Sequence, residues 1–441
     1  MSGGLGLGLA MLGAMLALMA LRVPIAIAMF IPGAVGYALL ASVPALLNQL
    51  KGVAWARLSL YDLSVIPLFL LMGQFATQGG LSRALFRFAN SLIGHWRGGM
   101  AMAAILACAA FGTVCGSSVA TAATVTQVAL PEMRRHHYSG RLATATLATG
   151  GTLGILIPPS VVLVVYAILA EQNIAKLFAA AIVPGLIAAT GYLTAIAVYV
   201  RLVPGHAPEL PRVSAAERRA ALRDVWPIGV IFLLVFGGIY GGLFTPTEAA
   251  GIGAAGTFIT AVARRELGLA ALKRAFLGTA ETTGMVFLIF LGADMLNSAL
   301  ALSQMPAQLA QSVAALSLPP VAVVAGILVF YIILCSVMDE LSMVILTVPV
   351  LLPVITALPL YDLTSTEKII WFGILVLSVV EIGLIAPPVG LNVYVVNSLA
   401  RDVPMAETYR GVLPFLASDA VRVTLLIAFP ALSLWAVRVL F

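Results

Sequence analysis

RGGMAMAAILACAAFGTVCGSSVATAATVTQVALP, residues 97–131, and GRLATATLATGGTLGILIPPSVVLVVYAILA, residues 140–170, decide the fold. Each is a long apolar run interrupted by a polar, glycine-rich stretch, at Gly112 to Ser118 in the first and between Thr149 and Ser160 in the second. Runs this apolar belong in lipid. Irregular backbone is tolerated at membrane depth only where protein or a cavity surrounds it, and helices broken in this way commonly form transporter binding sites. Basic residues flank the first run, with Arg97 before it and Arg134, Arg135 and Arg141 after it. Lys and Arg favour the cytoplasmic side, so the run starts and ends on one side. At about 1.5 Å per residue, roughly 34 residues suit two short limbs. The expectation is a re-entrant hairpin from the cytoplasm turning at Gly112 to Ser118, followed by a broken helix, 142–170, that crosses outward.

Composition agrees. Of 441 residues, 61% are hydrophobic and 10% charged, with mean hydropathy +1.08, whereas a soluble domain carries about 25% charged residues. The chain reads as an all-α polytopic membrane protein. Its net charge of +6 lies in short loops, as membrane topology requires, and gives no support for nucleic-acid binding. Cys108, Cys115 and Cys335 sit in apolar segments without metal-ligand spacing and read as buried thiols. The first twenty residues lack a basic n-region and read as a first span, not a cleaved signal peptide.

Working outward, spans are expected near 3–20, 23–42 and 65–78, with the mixed segment 42–62 at an interface. In LSRALFRFANSLIGHWRG, Leu85, Phe86, Phe88 and Leu92 share a face opposite Arg83 and Arg87, which suits an amphipathic interfacial helix or a cytoplasmic connector. A return span, 178–200, leads to the polar loop RLVPGHAPELPRVSAAERRAALRD with five arginines. Further spans follow near 225–241, 247–262 and 276–297, then a connector at 301–316. A second long apolar run, beginning at Leu318, is interrupted at Ser336 to Glu340 and lacks strongly basic flanks, so it is expected to enter from the opposite face.

The halves repeat. IPPSVVLVVYAILA, ending at Ala170, matches APPVGLNVYVVNSL, ending at Leu399. Gly154 pairs with Gly383, Pro158 and Pro159 with Pro387 and Pro388, and Pro131 with Pro353, which sets Gly116 to Ser118 opposite Met338 to Glu340. Two such halves entering from opposite faces make an inverted repeat, whose shared site lies near the membrane midplane. The expected divisions are 1–96 (scaffold spans and interfacial helix), 97–202 (first transport repeat), 203–224 (cytoplasmic linker), 225–316 (second-half scaffold), 317–400 (second transport repeat) and 401–441 (C-terminal span).

At the breaks, Ser117 and Ser118 offer hydroxyl oxygens, and Gly112, Gly116, Gly150, Gly151 and Gly154 let backbone approach a ligand. A broken helix presents a carbonyl end for a cation and an amide end for an anion, so sodium beside a carboxylate is the natural tenant. Close helix contact by small residues is the competing reading for the serines. Thr149, Thr152 and Ser160 supply further oxygens; Asn392, with Gly390, does so in the second half. A carboxylate inside a membrane segment costs at least about 2.5 kcal/mol, which makes Asp339, Glu340 and Glu381 candidates for sodium or proton coupling, against a water-facing tip for Asp339. No nucleophile triad, HExxH or GxxxxGK[ST] sequence is present, so the chain reads as no enzyme, and energy comes from an ion gradient or a partner.

FGTVCGSSVATAATV (ending at Val125), GGTLGILIPPS (ending at Ser160), GGLFTPTEAAGIGA (ending at Ala254) and EIGLIAPPVGLNVYV together resemble the large, DctM-type membrane subunit of tripartite ATP-independent periplasmic (TRAP) transporters. The resemblance spans nearly the whole chain. It implies sodium-coupled uptake of an organic anion, commonly a carboxylate, across the bacterial inner membrane. It implies an elevator-type fold, in which a scaffold carries a mobile transport domain built of two re-entrant hairpins and two broken helices. One sodium site is then expected around Gly116, Ser117, Ser118, Gly150 and Gly154, and another around Asp339, Gly383 and Asn392. Solute oxygen contacts are expected from Ser118, Thr149, Thr152, Ser160 and Asn392. FTPTEAA, 244–250, is expected to be a scaffold turn in which Glu248 finds a polar partner. The implied partners are a periplasmic solute-binding protein (DctP-type), a separate small four-span subunit (DctQ-type), since no such domain precedes the repeat, and membrane lipids. A self-sufficient sodium or proton symporter and a channel stay open as alternatives.

Overall fold

The computed structural model describes the backbone of residues 2–315, 318–336 and 338–441. All its regular elements are helical. In chain order they are α1 (Ser2–Ala20), α2 (Ile25–Leu40), α3 (Val43–Leu58), α4 (Val65–Gln78) and α5 (Leu81–Ile93), then α6 (Gly99–Cys115), α7 (Ser118–Arg135), α8 (Gly140–Leu156), α9 (Val161–Leu169) and α10 (Ile174–Leu202). The second half has α11 (Ala215–Tyr240), α12 (Pro246–Ala263), α13 (Leu269–Leu302) and α14 (Met305–Ala315), then α15 (Pro320–Cys335), α16 (Glu340–Ala357), α17 (Ser365–Ile385), α18 (Leu391–Leu399), α19 (Met405–Ala428) and α20 (Ala431–Leu440). Among the described residues, six helices are long and apolar enough to cross a membrane, or up to eight spans if each of two bent pairs counts as one. The chain is a multi-pass, all-α membrane protein. The bent pairs are α3 with Tyr61–Gln78, a 3-10 turn at Tyr61–Ser64 running into α4, at 57°, and α8 with α9, at 41°.

Local chemistry explains several helix starts. Ser214, Thr245 and Thr364 each cap a helix whose third residue, Glu217, Glu248 or Glu367, reaches back to the cap's own amide. Each box satisfies two amides that the first turn leaves without intrahelical acceptors. Glu248 thereby has its polar partner, Thr245, at 2.8 Å from the Thr245 amide nitrogen. The Ser214 box also starts α11 ten residues ahead of the expected span start at 225, so part of the 203–224 linker is helical. The C-terminal region holds a long helix and a short one, α19 and α20. On α5, Leu85 and Phe86 are buried and Arg83 and Arg87 exposed, as an amphipathic helix requires, whereas Leu92 near its end is exposed. The expected boundary at 316 and 317, and Val337 within the second interruption, lie outside the described residues.

The first apolar run folds into α6 and α7, which pack on each other and on α8. Each limb, 17 or 18 residues, is about 25 Å long, short of the roughly 30 Å hydrocarbon core. In the second half α15 and α16 both pack on α17. The distal broken helices then cross over: α9 packs on α16, and α18 packs on α7 and α8. Each half therefore sets its short distal helix against the other half's hairpin.

Candidate ion and solute site

At both hairpin tips a polar side chain caps the helix that follows. Gly116 ends α6 at φ +65°, a conformation that favours glycine, and its amide donates to the Gly112 carbonyl at 2.8 Å. Ser117 is extended, and its hydroxyl accepts the Ala120 amide at 3.4 Å. At the second tip Asp339 occupies the same place, accepting the Ser342 amide at 3.0 Å. The next residue in each case, Ser118 or Glu340, is the first of its helix and is buried. These pairings follow the repeat register read from Pro131 and Pro353.

The breaks also correspond. α8 ends at Leu156 and α17 at Ile385; both Pro158-Pro159 and Pro387-Pro388 are cis. Ser160, fully buried, caps α9 by accepting the Leu163 amide at 3.3 Å. Gly390, at φ +54°, starts α18. The first interruption is shorter than expected. Thr149 to Leu156 are helical and only 157–160 leave the helix; likewise the hairpin turn narrows to Gly116 and Ser117. The glycines upstream serve close approach instead. A Cβ on Gly112 would stand 2.6 Å from the Gly154 Cα, one on Gly150 3.0 Å from the Cys108 sulfur, and one on Gly151 2.9 Å from the Ala122 Cα. Helices α6 and α7 meet α8 backbone to backbone because small residues permit it.

The tip and break of the first half touch. A Cβ on Gly154 would lie 2.7 Å from the Thr121 hydroxyl and 2.9 Å from the Ser117 carbonyl oxygen, and one on Gly116 would lie 3.2 Å from the Pro159 carbonyl oxygen. Asn392, from the second half, completes the junction. Its amide nitrogen donates to the Ser118 hydroxyl at 2.6 Å and to the Ala148 carbonyl at 3.2 Å, with Ser118 and Asn392 both fully buried. Among the described residues three buried oxygens around this junction, Asn392 Oδ1, Thr121 Oγ1 and Thr149 Oγ1, have no hydrogen-bond partner. Buried polar atoms are nearly always satisfied, so such orphans call for a ligand, water or ion.

A family model, "Tripartite ATP-independent periplasmic transporter, DctM component", matches residues 12–432. The chain belongs to this family. The C4-dicarboxylate TRAP transporter large permease protein DctM of Pseudomonas aeruginosa is 36% identical over 85% of this chain and 86% of its own length. The ectoine TRAP transporter large permease protein TeaC of Halomonas elongata is 28% identical over 96% of each. The isethionate permease DctMQ of Oleidesulfovibrio alaskensis is 30% identical over 90% of this chain and 61% of its own. In fold, the chain is similar to the crystal structure of the Alcanivorax borkumensis YdaH transporter, with TM-score 0.63 and 16% identity, over 88% of this chain and 89% of that one. Membership of a TRAP family makes the chain a transporter component, not an enzyme, and its spans suit the bacterial inner membrane.

Within this TRAP permease the remaining expected site residues separate into groups. Thr152 turns toward α10, its hydroxyl donating to the Thr149 carbonyl at 2.8 Å and lying 3.4 Å from the Tyr192 hydroxyl. Gly150 faces α6. Asp339 is half-buried at the second tip, and Gly383 abuts Cys335 at the base of that tip, where a Cβ would stand 2.6 Å from the Cys335 Cβ. Beside Asp339, Glu340 Oε2 and the Ser342 hydroxyl are buried without partners among the described residues. Thr121 and Ser342 went unread in the sequence. Each lies three residues beyond its tip's capping Ser or Asp or one further, a spacing that faces the tip on the first helical turn.

Proposed function

We propose that this chain is the large permease subunit that imports a small organic anion, a carboxylate, across the inner membrane at the expense of a sodium gradient. The solute arrives from a periplasmic binding protein, and a small four-span membrane subunit completes the complex. The observation that carries this reading is the Asn392 junction, where the second broken helix meets the first tip and leaves Asn392, Thr121 and Thr149 oxygens open. Hydroxyl, amide and carbonyl oxygens suit a hard cation, and amide ends of α7 and α18 favour an anion beside it. A relative named for C4-dicarboxylates supports a carboxylate solute, while relatives named for isethionate and ectoine make the solute the variable part.

The two halves act as an inverted repeat. Residues 97–202 and 317–400 form the moving body and residues 1–96 and 225–316 the scaffold. An asymmetry between the breaks supports an elevator cycle. Pro158, Pro159 and Ser160 are buried, whereas Pro387, Pro388 and Val389 are exposed, as in one end state where a single side is open. A charge crossing about 100 mV yields roughly 2.3 kcal/mol, and because the anion carries its own charge inward against the same potential, the potential adds to the sodium concentration gradient only when the sodium ions outnumber the charges on the solute.

Uptake by the assembled complex in proteoliposomes tests the ion site. Ser117→Ala with Ser118→Ala raises the sodium concentration for half-maximal uptake about tenfold and leaves assembly intact; unchanged sodium dependence removes these serines from the site. Asp339→Asn separates charge from shape at the second tip. It keeps an acceptor for the Ser342 amide, so a loss of sodium affinity assigns the effect to the charge, and unaltered sodium and pH dependence excludes Asp339 from coupling.

A further inference from the structure

We infer that Arg422 is a positioning residue for the second ion site, acting through Glu381; this rests on the sodium-coupled reading above. Arg422 lies on the membrane helix α19, 2% exposed, six residues before the helix ends at Ala428. One guanidinium nitrogen is 2.6 Å from Glu381 on α17, and another is 3.0 Å from Asp419 one turn back on α19 and 3.3 Å from the Ser378 carbonyl. Asp419 also accepts the Tyr192 hydroxyl of α10 at 3.0 Å, and Tyr192 approaches Thr152 of α8. A continuous polar chain thus runs from Thr149 and Thr152 on the first broken helix to Glu381 on the second. Glu381 stands two residues before Gly383 and one turn before the end of α17 at Ile385, where the chain opens its carbonyls.

Apolar side chains of similar volume would hold these helices together at least as well, since buried ion pairs are often no more stabilising than a hydrophobic substitute. A guanidinium adds reach. Its broad planar head touches both carboxylates as ion pairs while donating a hydrogen bond to the Ser378 carbonyl, so it ties α17 to α19 one turn before Glu381, and a site formed from backbone oxygens works only when its supports hold it within about 0.5 Å. Further along, α19 repeats the attachment: the Tyr409 hydroxyl donates to the Val389 carbonyl of the break at 2.7 Å, Thr408 meets Thr144 of α8 at 2.8 Å, and Arg141 pairs with Glu407 at 2.6 Å. Helix α19 therefore braces both broken helices along its length and travels with them.

The test uses the purified chain in detergent, with sodium chloride replacing choline chloride at constant ionic strength and thermal unfolding as the readout. Arg422→Lys keeps the charge and gives up the broad head that reaches Glu381, Asp419 and the Ser378 carbonyl together. The sodium concentration giving half of the maximal stabilisation rises about tenfold, as for lost outer supports of metal ligands, with the sodium-free melting temperature little changed. A purely structural role does the reverse, lowering the sodium-free melting temperature and leaving the sodium midpoint in place, and that result overturns the proposal. If Arg422→Lys does not fold, Tyr192→Phe, which removes one hydroxyl and strands no charge, shifts the midpoint about threefold, and an unmoved midpoint there overturns the proposal equally. A wild-type chain that sodium does not stabilise contradicts the sodium reading itself, separately from the role of Arg422.

Discussion

Gly154→Ala reduces sodium-driven uptake by about 100-fold, the scale of loss expected when reacting or binding groups are displaced by about 1 Å, while the chain still inserts and assembles. The added methyl would stand 2.7 Å from the Thr121 hydroxyl and 2.9 Å from the Ser117 carbonyl oxygen. Both contacts are shorter than a carbon atom tolerates, so α8 and the first tip separate at the place where the open oxygens gather. Gly112→Ala strikes the same seam from the other side, because its methyl would meet the Gly154 Cα at 2.6 Å. Initial uptake rates, normalised to monodisperse complex recovered from membranes, check both. Near-normal rates for either variant would show that the tip need not touch the helix.

Arg422→Leu destabilises the chain by about 3–5 kcal/mol, because it leaves Glu381 and Asp419 buried without their cation. All three side chains are at most 2% exposed, so water does not screen the loss. The triple substitution Glu381→Gln, Asp419→Asn, Arg422→Met removes the charges together and recovers most of that stability, since a well-packed neutral cluster avoids the desolvation cost. Thermal unfolding and yield after extraction measure both. A single variant as stable as the wild type would mean that water or lipid headgroups reach the cluster.

The large features were legible because they rest on local chemistry. The basic flanks of the 97–131 run and the Pro158-Pro159 and Pro387-Pro388 pairs act within a few residues of themselves, whereas the capping roles of Ser117 and Asp339 came only with the structure. The glycines misled the local reading. Gly150, Gly151 and Gly154 permit either a broken helix or a close helix contact, and only the placement of Cys108, Ala122 and Thr121 against them decides for contact. Asn392 and Ser118 each read as an oxygen donor, but 274 residues separate them, and periodicity reports a helix face without saying which distant helix it meets. The Glu381 partner was similarly hidden. Asp419 and Arg422, three apart in the apolar part of α19 that follows Gly411, are themselves an intramembrane pair that default reasoning marks as functional, and the sequence reading treats α19 only as a last span.

Sodium coupling requires an ion held where the two halves meet. Its most direct test is an experimental structure of this chain determined at two sodium concentrations. The expected result is a sodium-dependent peak bounded by the Ser117 carbonyl, the Thr121 hydroxyl and neighbouring oxygens of α8, with the Asn392 junction formed beside it. An unchanged, empty junction at saturating sodium, with the ion elsewhere or absent, would contradict the account.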